Sequence, residues 1–138
     1  RRRRSRRWKM KKKGHEKMKK SRVIRINSET EWQNQITEAT NQAFPVVVHF
    51  SASWCMPSVA MNPSFENLSS SYQHVLFILL DVDDVQEVAT KMEITAMPTF
   101  VMLSGGKEMD RIVGANPEEL KKRIDAFLAS TSSTFNSL

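Results

Sequence analysis

The 138-residue chain holds one cysteine, Cys55, inside the run Trp54-Cys55-Met56-Pro57-Ser58. A thiolate is a strong nucleophile toward sulfur, so this run has the makings of a thiol–disulfide exchange site. It follows a buried-strand pattern and opens a helix, where unpaired backbone N–H groups favour an anion. Ser58 falls one turn on, where its hydroxyl can donate a hydrogen bond to the sulfur. Trp54 offers a flat apolar wall, and Met56 adds bulk beside the thiol that bears on substrate choice. A lone cysteine in a core is usually inert. A cysteine at a helix start, between a tryptophan and a Pro-Ser pair, is not a core pattern.

A single cysteine excludes an internal disulfide and any zinc site built from this chain's cysteines alone. His15, His49 and His74 show no metal-ligand spacing, and Asp81, Asp83 and Asp84 read as acids at a strand end and helix start, so no metal and no cofactor are expected. A lone thiol suits a reducing compartment, and a cytoplasmic location is expected. No apolar run approaches the roughly 20 residues of a membrane helix. The formal charge of +6 is strongly segregated. Residues 1–25 hold 15 Lys/Arg against one acid, Glu16, a net +14, and the remainder hold six against 14 acids, a net −8. The basic stretch 1–20 is almost free of aliphatics and is expected to be a disordered leader. Its attraction to polyphosphates would be nonspecific and salt-sensitive, so no specific nucleic-acid binding is expected. Met10 and Met18 are both candidate starts for the protein.

The elements that must position Cys55 follow from periodicity and turn chemistry. Val23–Ile26 is a short strand, and Ser28-Glu29-Thr30-Glu31 is a capping box opening a helix whose stripe holds Trp32 and Ile36. Val46–Phe50 is a buried strand, and one helix, kinked at Pro63, is predicted from the cysteine to about Tyr72. Val75–Val82 is a second buried strand, Val85–Met92 a short helix, and Ala96–Leu103 a turn into a strand. Ser104–Lys107 is a hairpin turn with Arg111–Val113 its return strand, and Asn116-Pro117-Glu118-Glu119 starts the last helix. A domain over residues 21–130 is expected, with a frayed tail at 131–138. The alternation predicts an α/β fold with a mixed, mostly parallel central sheet, helices on both faces and a hairpin at one edge.

With these elements in place, Trp54-Cys55-Met56-Pro57-Ser58 resembles the thioredoxin motif, with Met56 for the family's glycine and Ser58 for its second cysteine. Pro63 matches the kinking proline, Met97-Pro98-Thr99 the cis-proline turn, and Gly106 and Gly114 the family's glycines. The wording is similar to the single-cysteine branch of plant h-type thioredoxins. The resemblance implies the thioredoxin fold, Cys55 as nucleophile, Pro57 and Ser58 in supporting positions, and a substrate surface of Trp54, Met56, Met97, Pro98 and Gly114. Ser58 cannot resolve a mixed disulfide. Return attack by a second substrate thiol then gives isomerisation, and attack by glutathione gives slow reduction. Expected partners are proteins bearing disulfides or thiols, with glutathione as an external thiol and no membrane, and a monomer is expected. The alternative is a binding module on which Cys55 is at most a covalent latch. His49 stands where the family has a buried aspartate. A neutral, hydrogen-bonded core histidine is the favoured reading, against a proton acceptor for Cys55.

Overall fold

The computed structural model describes residues 20–136, with side chains through Thr131. The expected basic leader up to residue 19 lies outside the described residues. Ten elements follow: β1 Val23–Ile26, α1 Glu29–Asn41, β2 Val46–Ser51, α2 Met56–Ala60, α3 Asn62–Ser71, β3 Leu76–Asp81, α4 Gln86–Lys91, β4 Thr99–Ser104, β5 Lys107–Val113 and α5 Pro117–Asn136. The strands form one mixed sheet in the order β1-β3-β2-β4-β5. β1, β3 and β2 run parallel, while β4 is antiparallel to both its neighbours.

The central strand is β2, and all six of its residues are buried, as its nearly unbroken apolar run requires. Its alternate side chains feed two cores. Val47 joins Phe77, Phe100 and Met102 beneath α3 and α5, with Phe65, Leu68, Leu120, Ile124 and Phe127 closing that layer. Val46, Val48 and Phe50 join Ile78, Leu80, Val101 and Leu103 on the other face, beneath α1 and α4. Helices on both faces are what a parallel arrangement of this kind needs to keep its strands dry.

The caps form much as their residue types dictate. Ser28 Oγ accepts from Glu31 N at 3.1 Å, and the Glu31 carboxylate reaches back to Asn27 N at 2.7 Å, one residue before the usual partner. Asn116 Oδ1 accepts from Glu119 N at 3.1 Å at the start of α5. The β4–β5 hairpin turns through Gly105 and Gly106 at φ +61° and +79°, a pair of left-handed conformations that a tight hairpin demands and glycine adopts freely.

Two local expectations change. The helix after Cys55 is not one kinked rod. It ends at Ala60 and a second helix starts at Asn62. Pro63 has no N–H to give to Val59 and its ring crowds that carbonyl, so the turn closes early, with Met61 N donating to Ser58 O at 3.1 Å. The return strand begins at Lys107, not Arg111, because a register irregularity between Met102 and Leu103 lets the pairing continue past exposed Met109. The last helix runs from Pro117 to Asn136.

Phe65 ties α3 to the sheet. Its ring meets His49 at 5.2 Å, Phe77 at 5.3 Å and Phe100 at 5.9 Å between centroids. Truncation at such a fully buried, multiply packed site leaves a cavity the sheet cannot close. Phe65→Ala is therefore expected to lower unfolding stability by about 3–5 kcal/mol. A urea titration followed by circular dichroism checks this, and a loss below about 1 kcal/mol would contradict the packing described.

Candidate functional site

Cys55 sits just beyond the end of β2, where the chain turns back on itself. Its N–H donates to Ala52 O at 3.0 Å, and its own carbonyl accepts from Ser58 N and Val59 N at 3.1 and 3.0 Å, starting α2. Pro57 lies in the first turn of that helix and is exposed, a position where a missing N–H costs nothing. The antiparallel pairing of Phe50 with Thr99 carries the segment before β4 to the same end of the sheet. There the Met97–Pro98 peptide bond is cis, and the Cys55 thiol donates to Met97 O at 3.6 Å. Two bonds hold this turn: Thr99 Oγ1 donates to Ala96 O at 2.6 Å, and Gly114 N donates to Pro98 O at 2.9 Å.

The structure thus brings Cys55, Met97, Pro98 and Gly114 together. Pro98 itself is buried, so it shapes this surface without forming part of it. The exposed apolar side chains are Trp54 at 64% of its accessible area, Met56 at 69% and Val113 at 61%. Val113 pairs with Thr99 and precedes Gly114, which places it beside the turn. The sequence pattern did not single it out, because an outward-facing valine on an edge strand looks like any other.

Trp54 is exposed yet held. Its indole N–H donates to Asp83 Oδ2 at 2.7 Å. The neighbouring carboxylate of buried Asp81 accepts from Ser53 N at 3.1 Å and from Asp83 N at 2.8 Å, tying the loop after β2 to the loop after β3. Asp81 and Asp83 are therefore positioning groups for the cysteine loop as well as strand-end acids. Their partners lie 28 and 29 residues away, and local sequence carries no sign of them.

Beneath the thiol the arrangement departs from expectation. Ser58 does not donate to the sulfur. It is fully buried, and its hydroxyl donates to Ser51 Oγ at 2.7 Å, with His49 Nε2 3.5 Å away. His49 is also fully buried, stacked on Phe100 at 4.5 Å and edge-on to Phe65. Its Nε2 faces Ser58, not Cys55, and its Nδ1 has no partner among the described residues. The expected hydrogen-bonded core histidine is thus only half paired, held between the rings of Phe100 and Phe65. Burial in this apolar surround pulls the imidazole pKa from 6.5 down to about 4, so the ring is neutral at physiological pH. Among the described residues no group of His, Cys, Asp and Glu is arranged to hold a metal ion, and no helix is long and apolar enough to cross a membrane. A cavity of about 470 Å³ lies at the opposite end of the sheet, around Phe44, Tyr72 and His74, away from the thiol.

A strand-end thiol beside a cis-proline turn, on a five-stranded mixed sheet, can be set against known proteins. The thioredoxin family model matches residues 23–126. The chain belongs to the thioredoxin family. It is 50% identical over 111 residues to the thioredoxin-like protein CXXS1 of Arabidopsis thaliana, covering 80% of this chain and 94% of that one. It is 38% identical over 114 residues to thioredoxin H2-2 of rice, covering 82% and 85%. Among solved structures, thioredoxin NaTrxh of Nicotiana alata superposes with a TM-score of 0.73 at 40% identity, covering 76% of this chain and 91% of that chain. The class of chemistry is accordingly thiol–disulfide oxidoreduction, and Cys55 is the one thiol this sequence supplies.

His49 makes this interior pH-sensitive. An unfolded imidazole takes up a proton near pH 6.5, and the folded one only near 4. Between those values the unfolded state binds more protons, so stability is full above pH 6.5 and falls as the pH drops toward 4, by on the order of 3 kcal/mol. His49→Leu is expected to remove this component. Denaturant midpoints for both proteins at about pH 7, 5.5 and 4 check it, and curves that fall in parallel would exclude the assignment.

Proposed function

We propose that this thioredoxin-family protein is a monothiol disulfide-exchange catalyst, in which Cys55 attacks a protein disulfide and a second thiol of the same substrate attacks back. The carrying observation is the pairing of a partly exposed Cys55 with a buried serine at position 58 whose hydroxyl is already committed to Ser51. In the attack the Cys55 thiolate forms a new S–S bond, the substrate disulfide breaks, and one substrate sulfur leaves as thiolate. A hydroxyl in Ser58's place cannot displace the substrate from that mixed disulfide at neutral pH. The return attack is intramolecular and favoured by high effective concentration, so isomerisation outruns net reduction, which awaits an external thiol such as glutathione. A substrate strand would run along Met97, whose backbone precedes the β4 edge of the turn, with Trp54, Met56 and Gly114 as its walls. A reducing compartment such as the cytosol keeps Cys55 available for this chemistry.

The exposed apolar triad of Trp54, Met56 and Val113 favours a second reading, a non-catalytic module that holds partner proteins there, with Cys55 as a latch. The two separate in one experiment on the full chain. Reactivation of scrambled ribonuclease is expected, with weak insulin reduction, and Cys55→Ser is expected to abolish both. With dithiothreitol as the reductant for all proteins, Ser58→Cys is expected to raise insulin reduction by at least about tenfold, since the new thiol displaces the substrate from Cys55 and dithiothreitol then reduces the internal disulfide that this leaves. Ribonuclease reactivation by Cys55→Ser equal to that of the parent chain would sink the catalytic reading and leave the binding module.

A further inference from the structure

The charge around the thiol is set by the fold. β1, β2 and β3 are parallel, and β5 runs the same way because two antiparallel steps restore the direction. The helices that follow β1, β3 and β5 therefore all begin at the end of the sheet where Cys55 sits. Helix starts attract acids, which complement the N–H groups there. The first turns of α1, α4 and α5 hold Glu29 and Glu31, Glu87, and Glu118 and Glu119 respectively. The loop after β3 adds Asp83 and Asp84 at the same end, with Asp83 bonded to the indole beside the thiol. Glu118 lies four residues beyond Gly114, on the other flank of the cis-proline turn.

Among the described residues most cations are paired or lie away from the thiol. Lys91 is bridged to Glu29, Arg111 to Glu108, Lys121 to Asp125, and Arg123 to Asp110 and Glu119. Arg25 is exposed and lines a cavity of about 260 Å³ with Ser51, Ser53 and Asp81, so it is the one described cation beside the cysteine loop, where buried Asp81 faces it, and Lys122 lies a turn down α5. Arg22 and Lys107 are at the other end of the sheet, against Tyr72 and Val75 and at the hairpin. Among the described residues Asp83, Asp84, Glu87 and Glu118 have no cationic partner in an ion pair.

We infer that the Cys55 site selects cationic disulfides, that is, disulfides flanked by lysine or arginine on the substrate protein, and disfavours anionic ones. This rests on the exchange reading above and names its substrate class. The acids are not a binding site. They act through space on what approaches the thiol, raising the encounter rate of positive substrates and lowering that of negative ones. The step itself is unchanged: Cys55 thiolate attacks one sulfur, the S–S bond breaks, and one thiolate leaves.

The test uses the full chain and three small symmetrical disulfides: cystamine (cationic), hydroxyethyl disulfide (neutral) and dithiodipropionate (anionic). With one cysteine there is one adduct, and its rate of formation is read by mass spectrometry under excess disulfide. The variant Asp84→Asn/Glu87→Gln/Glu118→Gln removes three charges without touching the Asp83–Trp54 bond. Residues 1–20 are common to both proteins, so their charge cancels in the comparison. At about 10 mM salt the variant is expected to react about threefold or more slowly with cystamine and correspondingly faster with dithiodipropionate, at an unchanged hydroxyethyl disulfide rate. The difference should shrink toward nothing near 1 M salt, where the Debye length is about 3 Å. A parent cystamine-to-dithiodipropionate ratio at about 10 mM salt no higher than its own value near 1 M, or a ratio equal in parent and variant, with the neutral probe reacting, would overturn the charge selection alone. Failure of the parent to react with the neutral probe would instead overturn the exchange reading beneath it. Each single substitution is measured as well, so that a poorly folded triple variant does not decide the matter.

Discussion

The antiparallel pairing of β2 with β4 is the constraint on which the site depends. Cys55 lies beyond the last residue of β2, and the Met97–Pro98 turn lies before the first residue of β4. Only an antiparallel ladder brings the end of one strand to the beginning of the other, and the Phe50–Thr99 pair fixes the register that does so. A slip of one residue would turn His49 and Phe100 to the wrong face and withdraw the Met97 carbonyl from the sulfur. The hydrogen bonds of Thr99 to Ala96 and of Gly114 to Pro98 then lock a turn that the ladder has already aimed.

Below that ladder a serine, not a second thiol, fills the buried position one turn after Cys55. Position 58 is buried, and a hydroxyl there must find a partner. It finds Ser51 from the end of β2, with the neutral His49 ring completing a short polar seam in an otherwise aromatic layer. An imidazole is tolerable among Phe65 and Phe100 because it can shed its charge, where an ionised carboxylate would need a strong donor. The seam reaches from β2 to α2 but does not touch the Cys55 thiol, whose neighbour is the Met97 carbonyl. The thiol and the buried polar pair are thus separate: one is partly exposed at the strand end, and the other lies in the core beneath it.

The acidic end of the sheet follows from the same topology. Helix-start acids are chosen locally, each for its own N–H groups, but parallel strands line those starts up on one side. A preference made of many small choices becomes one field at the thiol. The neighbouring carboxylates of Asp81 and Asp83 add a second effect, since the bonds they make hold the cysteine loop and its tryptophan in place.

Much of this was legible in the chain. The strand and helix types, the caps at Ser28 and Asn116 and the paired-glycine hairpin all rest on interactions within a few residues, and local sequence encodes those directly. The Trp-Cys-Met-Pro-Ser run and the Met-Pro-Thr turn singled out Cys55 and the residues that surround it because their residue types are unusual in combination. The tertiary structure decided what depends on partners far along the chain. Those are the turn of Ser58 toward Ser51 and away from the sulfur, the unpaired Nδ1 of His49, the Asp83 anchor on Trp54, and the exposure of Val113 beside the turn. Hydroxyls, imidazoles and carboxylates each have several acceptable partners, and only the packing of strands and helices distant in sequence selects among them.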